Sequence, residues 1–498
     1  MRLREMLRDV PVRSGDADAE ITSVTADSRL VVPGALFVAV PGFKTDGAKF
    51  IDSAVSRGAA AIVSESNVVT APVSVQVDDA RAALALISAN FYNRPANNLS
   101  IIGVTGTSGK TTTTKMIESI LDASGQPVGL IGTIEYRAGE ERLTADRTTP
   151  DAVVLQQWFA KMVDAGVRRA VMEVSSHALA LKRTHGIRFA AAVFTNLSQD
   201  HFDFHKDFED YFATKRILFD QIDRSRKTAI VNIDDEYGRR LANELGDCIV
   251  TFGRQSNADI HPLDGFEISV RGLHGRIATP AGDVHVESKL LGAPNLYNWL
   301  GAVGAALSVG IDTATIEAGI RNLAAVRGRF EYVASDDGPT VIVDYAHKPD
   351  ALDKLLLAVR DLASGRRLIV LFGCGGDRDR DKRPMMGAIA ARLADQTVLT
   401  SDNPRGEKPE AILDDIERGM AGAANYARIT DRREAIARTI AEALDDDVIV
   451  IAGKGHESYQ VVGDQILHFD DREEAERALK TRQGRTRHEN RTSKSVSN

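Results

Sequence analysis

One stretch constrains this chain more than any other: IIGVTGTSGKTTTTKMIESIL, Ile101–Leu121. A β-rich apolar run meets a glycine turn, and a helix-forming run leads out. Gly106, Ser108 and Gly109 permit the tight turn. The backbone N–H groups of Gly106–Gly109, Thr107 included, and the helix start behind them are placed to face phosphate oxygens. Lys110 is expected to reach the β- and γ-phosphates, and the Thr111 hydroxyl, next to Thr112, a Mg²⁺ ion. The strict G-x-x-x-x-G-K-T spacing is not met, because Val104 holds its first glycine position and Gly103 lies one residue early. A chance glycine turn is the alternative. The loop alone says only that a nucleoside triphosphate is held on an α/β scaffold.

The 498 residues exceed what one hydrophobic core supports. A net charge of −8 argues against nucleic acid and anionic membrane as partners. No apolar run is long enough to span a bilayer, and the first residues lack the apolar centre of a signal peptide. Two cysteines, Cys248 and Cys374, make neither a disulfide framework nor a metal cluster. A cytoplasmic enzyme or ATPase is the expected class.

Buried-strand candidates GALFVAV and AAAIVS, with the helical DARAALALISANFY, mark a small α/β domain over residues 1–99. The polar YNRPANNLS reads as a linker. AVMEVS, AAVFTNLS and TAIVNIDD are strands ending in polar residues, which predicts a mostly parallel sheet with function at its C-terminal edge over 100–330. PTVIVDYAH, RLIVLFGCGG, QTVLTSDNP and DVIVIAGKGHE repeat the pattern over 331–482, a third, Rossmann-like α/β domain. Residues 483–498, polar and basic, are expected to be a disordered tail; a nucleic-acid-binding tail is the other reading.

The ordered motifs TGTSGKTTTT, RTTPD, EVSSHAL, FTNLSQDHFDFHKDFEDYFATKRILF, VNIDDE, LLGAPNLYNWLGAVGAA, RGRFE, DYAHKPDAL, FGCGGDRDRDKRPMM, SDNPRGEKP and GKGHESYQ resemble those of the Mur ligase family, from about residue 21 to 482. The resemblance is narrowest to the members that add the third residue to UDP-N-acetylmuramoyl-L-alanyl-D-glutamate (UDP-MurNAc-L-Ala-D-Glu). It implies that ATP phosphorylates the free side-chain carboxylate of D-glutamate and that an amine attacks the acyl phosphate.

On those terms Glu173 and His205 resemble Mg²⁺ ligands, and Lys215 the lysine that CO₂ converts to a carbamate, an anion suited to Mg²⁺. Read alone, Glu173 could cap a helix, His205 could be structural and Lys215 a solvated helix lysine. Asn295 and Asn298 are expected to position the nucleotide or the loop, or to cap a helix. Arg329 and Asp344, with His347 in the same motif, resemble a nucleotide-contacting pair; a plain Arg–Asp bridge is the alternative. Ser28 and Phe43–Lys44–Thr45 correspond to UDP contacts, and Thr148, Thr149, Ser175 and Arg183 to muramoyl-dipeptide contacts. The family's usual glutamine two residues before that arginine is Leu181 here.

Asp402, Asn403, Pro404 and Arg405 form the motif that accompanies meso-2,6-diaminopimelate as the added amino acid. That substrate carries a distal carboxylate, which an arginine binds through two charge-assisted hydrogen bonds. Arg378 resembles a second substrate-facing arginine, and Gly453 and Glu457 would meet the distal amino group. An exposed Pro-Arg turn is the plain alternative for the motif. The runner-up function is an L-lysine-adding ligase; from another class, a nucleotide switch or scaffold. A folylpolyglutamate synthetase-like ligase fits less well, because the first domain carries DSR followed by PGALF. A monomer is the expected state, and no residue stands out as general base for the amine.

Overall fold

The computed structural model describes all residues except 16–17, 43–45, 68–70, 72, 203, 270, 334–337, 364 and 496–498. The chain divides into two compact units. The first comprises Met1–His261, Ala278–Val284 and Tyr297–Gly319; the second comprises Pro262–Ile277, His285–Leu296 and Ile320–Asn498.

Two sheets dominate the described residues of the first unit. Five strands lie in the order Val12–Gly15, Ser74–Val77, Ala61–Ser64, Ala35–Val38, Ser23–Thr25, all parallel except the first. The apolar runs expected as strands are buried on both faces. Leu36 and Val38 enter one core, while Ala35 and Phe37 enter another, because successive side chains leave opposite faces of a strand. The helix Ala80–Phe91 starts where the Asp79 carboxylate accepts from Ala82 N.

The larger sheet has eight strands in the order Ile249–Phe252, Ala229–Asn232, Ala191–Phe194, Ser100–Thr105, Arg169–Glu173, Val128–Ile131, Glu135–Ala138, Glu141–Thr144. The first six run parallel, as their near-continuous Val/Ile/Ala composition predicts. The last two turn back as an antiparallel edge that the sequence did not announce. The strand Ser100–Thr105 lies in mid-sheet, so the phosphate loop that follows it leaves from the C-terminal edge between two neighbours. In open parallel sheets this edge is where ligands bind.

In the second unit six strands lie in the order Glu331–Val333, Thr340–Asp344, Val448–Ala452, Leu368–Phe372, Gln396–Leu399, Tyr426–Arg428. All but the first pair are parallel. Ile342, Val370 and Val450 pack on one face, and Val341, Ile369 and Ile451 on the other. The four apolar runs expected here are therefore all strands of one doubly covered sheet. The helix Asp471–Ser495 runs on into the segment expected as a tail. Past residue 482 it holds no proline and a single glycine, so nothing in its composition stops the helix begun upstream.

Candidate active site

The phosphate loop of the first unit is shaped by the strand beside it. Gly106 and Gly109 have φ of 146° and 85°. A Cβ at Gly106 would collide with Thr195 Oγ1, so this position needs glycine for both conformation and space. Thr195 Oγ1 donates to Ser108 O at 2.6 Å. The Asn196 side chain accepts from Ser108 N at 3.0 Å and donates to Ser108 O at 3.2 Å, and Asn196 O accepts from Thr107 N at 2.9 Å. The missing first glycine also has a reason: Val104 is fully buried inside the strand and paired on both sides, so the loop begins only at Gly106.

The helix Lys110–Ala123 starts at the end of the loop. Lys110 Nζ donates to Gly106 O and Thr107 O, each at 2.9 Å. Thr111 and Thr112 are buried in its first turn. Asn298 sits behind the loop, where its Oδ1 accepts from Thr113 Oγ1 at 3.3 Å and lies against Gly109. Asn295 is buried in the second unit and donates to Leu291 O at 2.8 Å, across the start of its helix.

Glu173 ends its strand almost fully buried. Its Oε2 accepts from Thr111 Oγ1 at 3.0 Å and Thr133 Oγ1 at 3.1 Å, and its Oε1 from Thr133 N at 2.7 Å. Thr133 Oγ1 also lies 3.0 Å from Thr148 Oγ1. Thr149 Oγ1 donates to Glu173 O at 2.8 Å and accepts from Ser175 N at 3.2 Å, while Arg183 Nη1 donates to Thr149 O at 2.6 Å. Thr148, Thr149, Ser175 and Arg183 are thus gathered around Glu173. Ser175 also caps the helix Ser176–Ala180. Burial and the nearby Arg147 charge lower the Arg183 pKa.

Lys215, on the helix Phe208–Arg216, is buried and donates to Gly106 O at 2.8 Å, with its ammonium 4.3 Å from the centroid of the Tyr211 ring. Burial, then the neighbouring Lys110 charge, lowers its pKa well below the ordinary lysine value. His205 is buried, with Nδ1 3.3 Å from Asp210 Oδ2. Among the described residues no group of three His, Cys, Asp or Glu could hold a metal unaided. The oxygen set of Glu173 and Thr111 nevertheless suits a hard cation.

In the five-stranded sheet, Ser28 opens the turn Ser28–Leu30, and the Asp27 carboxylate accepts from Arg29 N at 2.9 Å. The Arg29 guanidinium pulls that carboxyl down to about 2, mainly by direct hydrogen bonding. Phe43, Lys44 and Thr45 lie outside the described residues.

In the second unit, Asp344 accepts from Phe330 N at 2.7 Å and Ala346 N at 2.8 Å, and burial raises its pKa against the opposing pull of Arg329. The Arg329 guanidinium lies 4.8 Å from the Tyr345 ring centroid. His347 Nδ1 is 2.8 Å from Tyr345 O, and burial drops its pKa to about 4, so it is neutral near pH 7.

The strands Leu368–Phe372, Gln396–Leu399 and Val448–Ala452 deliver the other expected residues. Arg378 is exposed. Arg405 has φ of 52°, and its Nη1 donates to Gly376 O at 2.9 Å. Asp402, Asn403 and Pro404 are buried beneath it. Asn403 Nδ2 donates to Glu457 Oε2 at 2.9 Å, and Asn403 Oδ1 accepts from Lys454 Nζ at 3.1 Å and Val461 N at 2.9 Å. A Cβ at Gly453 would press on Asp402 Oδ2 at 2.8 Å.

Sequence reasoning missed several residues. Lys454 has no exposed side-chain surface and stands 3.3 Å from Glu457 Oε2 and 3.9 Å from Asp402 Oδ1. Its place inside GKGHE was a usable signal. Thr195 and Asn196 follow directly on a parallel strand's C-terminal end, the position where function was expected. Thr133 carried no comparable mark.

A mid-sheet phosphate loop with a buried carboxylate at the next strand's end defines a nucleotide-handling α/β enzyme. The chain belongs to the Mur ligase family. Its residues 20–92 match the Mur ligase family catalytic domain, 104–306 the Mur ligase middle domain, and 328–455 the Mur ligase glutamate ligase domain. A relative from Gloeobacter violaceus, named UDP-N-acetylmuramoyl-L-alanyl-D-glutamate–2,6-diaminopimelate ligase, is 48% identical over 97% of this chain and 99% of its own length. A relative of the same name from Geobacillus thermodenitrificans is 45% identical over 97% and 100%. A solved structure of that name is 32% identical with a TM-score of 0.70, covering 97% of this chain and 99% of its own. Mycobacterium tuberculosis folylpolyglutamate synthase shares the fold at 20% identity and a TM-score of 0.58, over 74% of this chain and 91% of its own.

Proposed function

We propose that this protein is the ATP-dependent ligase that joins meso-2,6-diaminopimelate to the D-glutamate side-chain carboxylate of UDP-MurNAc-L-Ala-D-Glu. The carrying observation is the near end-to-end likeness to relatives that bear that name. The D-glutamate carboxylate attacks the γ-phosphorus of ATP, ADP leaves, and an acyl phosphate forms. The amine of diaminopimelate then attacks the acyl carbon, phosphate leaves with the bonding pair, and the amine loses a proton. The products are UDP-MurNAc-tripeptide, ADP and phosphate.

In this reading the N–H groups of Gly106–Gly109 cradle the phosphates, and Lys110 exchanges its carbonyl acceptors for the β- and γ-oxygens. Catalysis is then mainly positioning and charge neutralisation. Glu173 and Thr111, with His205 nearby in sequence to Lys215, would hold Mg²⁺, which supplies neutralisation of the transferring phosphate. Lys215 is the candidate carbamate: a buried amine whose neutral form is favoured can add to the carbon of CO₂ and release a proton, replacing a cation by an anion. Asn298 keeps the loop in place, and Asn295, Arg329, Asp344 and His347 serve the nucleotide.

Ser28 and the residues Phe43–Thr45 serve recognition of the UDP moiety, and Thr148, Thr149, Ser175 and Arg183 that of the muramoyl-dipeptide. Arg405 and Arg378 receive the carboxylate at the far end of diaminopimelate; Gly453 and Glu457 meet its ammonium. Among the described residues no helix is long and apolar enough to cross a membrane. The cytoplasm, where UDP-linked substrate and ATP are found together, is the proposed location, with the chain acting as a monomer.

The test is product mass spectrometry with ATP, Mg²⁺ and UDP-MurNAc-L-Ala-D-Glu, supplying meso-diaminopimelate and L-lysine at equal concentration. A diaminopimelate adduct supports the reading. A lysine adduct keeps the ligase and overturns the role of Arg405; no adduct overturns the ligase assignment.

A further inference from the structure

We infer that Glu407 is a positioning residue for recognition of the incoming amino acid, a latch that holds the loops of Arg378 and Arg405 in register. The inference rests on the reading of Arg405 as the receptor of the amino acid's distal carboxylate.

The two loops leave the C-terminal ends of adjacent parallel strands, Leu368–Phe372 and Gln396–Leu399. Each carries one non-glycine residue in the left-handed region, Asp377 at φ 53° and Arg405 at φ 52°. That conformation is disfavoured for residues with a Cβ, so surrounding contacts must hold it. Here each loop holds the other. Asp377 N donates to Glu407 Oε1 at 2.7 Å, and Gly406 N donates to Asp377 Oδ2 at 2.9 Å. Gly376 N donates to Asn403 O at 2.9 Å, and Arg405 Nη1 returns to Gly376 O.

Beneath them lies Arg383, fully buried at the start of its helix. Its Nη2 donates to Glu407 Oε1 at 2.8 Å and its Nη1 to Glu407 Oε2 at 2.9 Å, with further bonds to Asp415 Oδ2 at 2.9 Å and Gly375 O at 3.2 Å. Arg380 Nη2 adds a donor to Oε2 at 2.9 Å. Glu407 therefore accepts four hydrogen bonds, two on each oxygen, which fills an ionised carboxylate. It has no lone pair left for substrate. Its effect on the reaction must pass through the loops it ties, and a two-pronged contact to a carboxylate fails when the guanidinium is displaced by even half an ångström.

The test is steady-state kinetics of the full chain with ATP, UDP-MurNAc-L-Ala-D-Glu and meso-diaminopimelate. Glu407→Gln keeps the shape and turns one acceptor oxygen into a donor. The expected result is a KM for diaminopimelate raised about tenfold, equivalent to about 1.4 kcal/mol, with the KM values for ATP and the muramoyl substrate within twofold. In an Arg405→Ala background, Glu407→Gln should add clearly less than it costs alone, because the Arg405 contact is already lost and only the placement of Arg378 remains to be disturbed. Equal effects on all three KM values, or full additivity with Arg405→Ala, would overturn the latch. An unchanged diaminopimelate KM in Arg405→Ala alone would instead overturn the reading of Arg405. Should Glu407→Gln fail to fold, Arg383→Lys, which keeps the buried charge and loses the fork, carries the same expectations.

Discussion

Lys110 and Lys215 share one acceptor: their ammonium nitrogens lie 2.9 and 2.8 Å from the carbonyl oxygen of Gly106. Burial of the Lys215 ammonium disfavours its charge first, and repulsion from Lys110 adds to this, so the Lys215 amine is shifted toward its neutral form. Lys215→Arg installs a permanent cation that cannot form a carbamate. We expect it to lose turnover by at least ~10²-fold while ATP still binds. Native mass spectrometry under CO₂ should show the wild-type chain heavier by one CO₂ and the variant unchanged; a fully active arginine variant would refute the carbamate.

Lys110→Ala removes the cation that follows directly on the phosphate loop and folds back onto its Gly106 and Thr107 carbonyls. Phosphate release should fall by ~10²–10³-fold, with diaminopimelate binding, measured by calorimetry, unaffected. A mild effect would mean that loop amides alone suffice.

Glu173→Gln keeps the side chain's volume and removes its charge. The amide oxygen can still accept from Thr133 N while the Thr111 and Thr133 hydroxyls turn to accept from the amide nitrogen, so the fold should hold. The Mg²⁺ concentration for half-maximal rate should rise by about tenfold or more, and a titration of rate against Mg²⁺ reads this directly.

Glu407 also predicts a pH signature in stability. Arg383 holds its carboxyl down to about 2, against an ordinary value of 4.5. The stabilisation is complete above about pH 4.5 and disappears as pH falls through about 2. The difference in melting temperature between wild type and Glu407→Gln should be constant near neutrality and should close below pH 4.5. A difference that widens in acid would contradict the sign.

Lys454→Met removes the nearer of two buried cations that act on Asp402 and Glu457, leaving the more distant charge of Arg432. Breaking such a pair costs about 3 kcal/mol, and the loss should appear in denaturant unfolding of the chain together with a raised KM for diaminopimelate. A variant of unchanged stability would mean that Arg432 suffices as counter-charge for the two carboxylates.

The strands that position the chemistry were legible because their apolar runs, such as LIVLF and VIVIA, match burial on both faces of a parallel sheet. The phosphate loop was legible because its glycines and lysine are adjacent in sequence. What stayed hidden depends on residues far apart in the chain. Glu135–Thr144 is an antiparallel edge set by pairing with Val128–Ile131, not by its own pattern. Asn196 grips Ser108 across 88 residues, and Lys454 meets Asp402 across 52; no local spacing encodes either contact.

The strands Leu368–Phe372 and Val448–Ala452 are covered on both faces and hydrogen-bonded along both edges. Their amide hydrogens can exchange with deuterated solvent only when the whole sheet opens, whereas those of the Arg378 and Arg405 loops need only local fluctuation. Binding of the amino acid should therefore slow exchange in the loops and leave the strands untouched. The second unit would report its ligand through a few minutes-scale amides at the sheet's rim, against a slow interior that serves as its own reference.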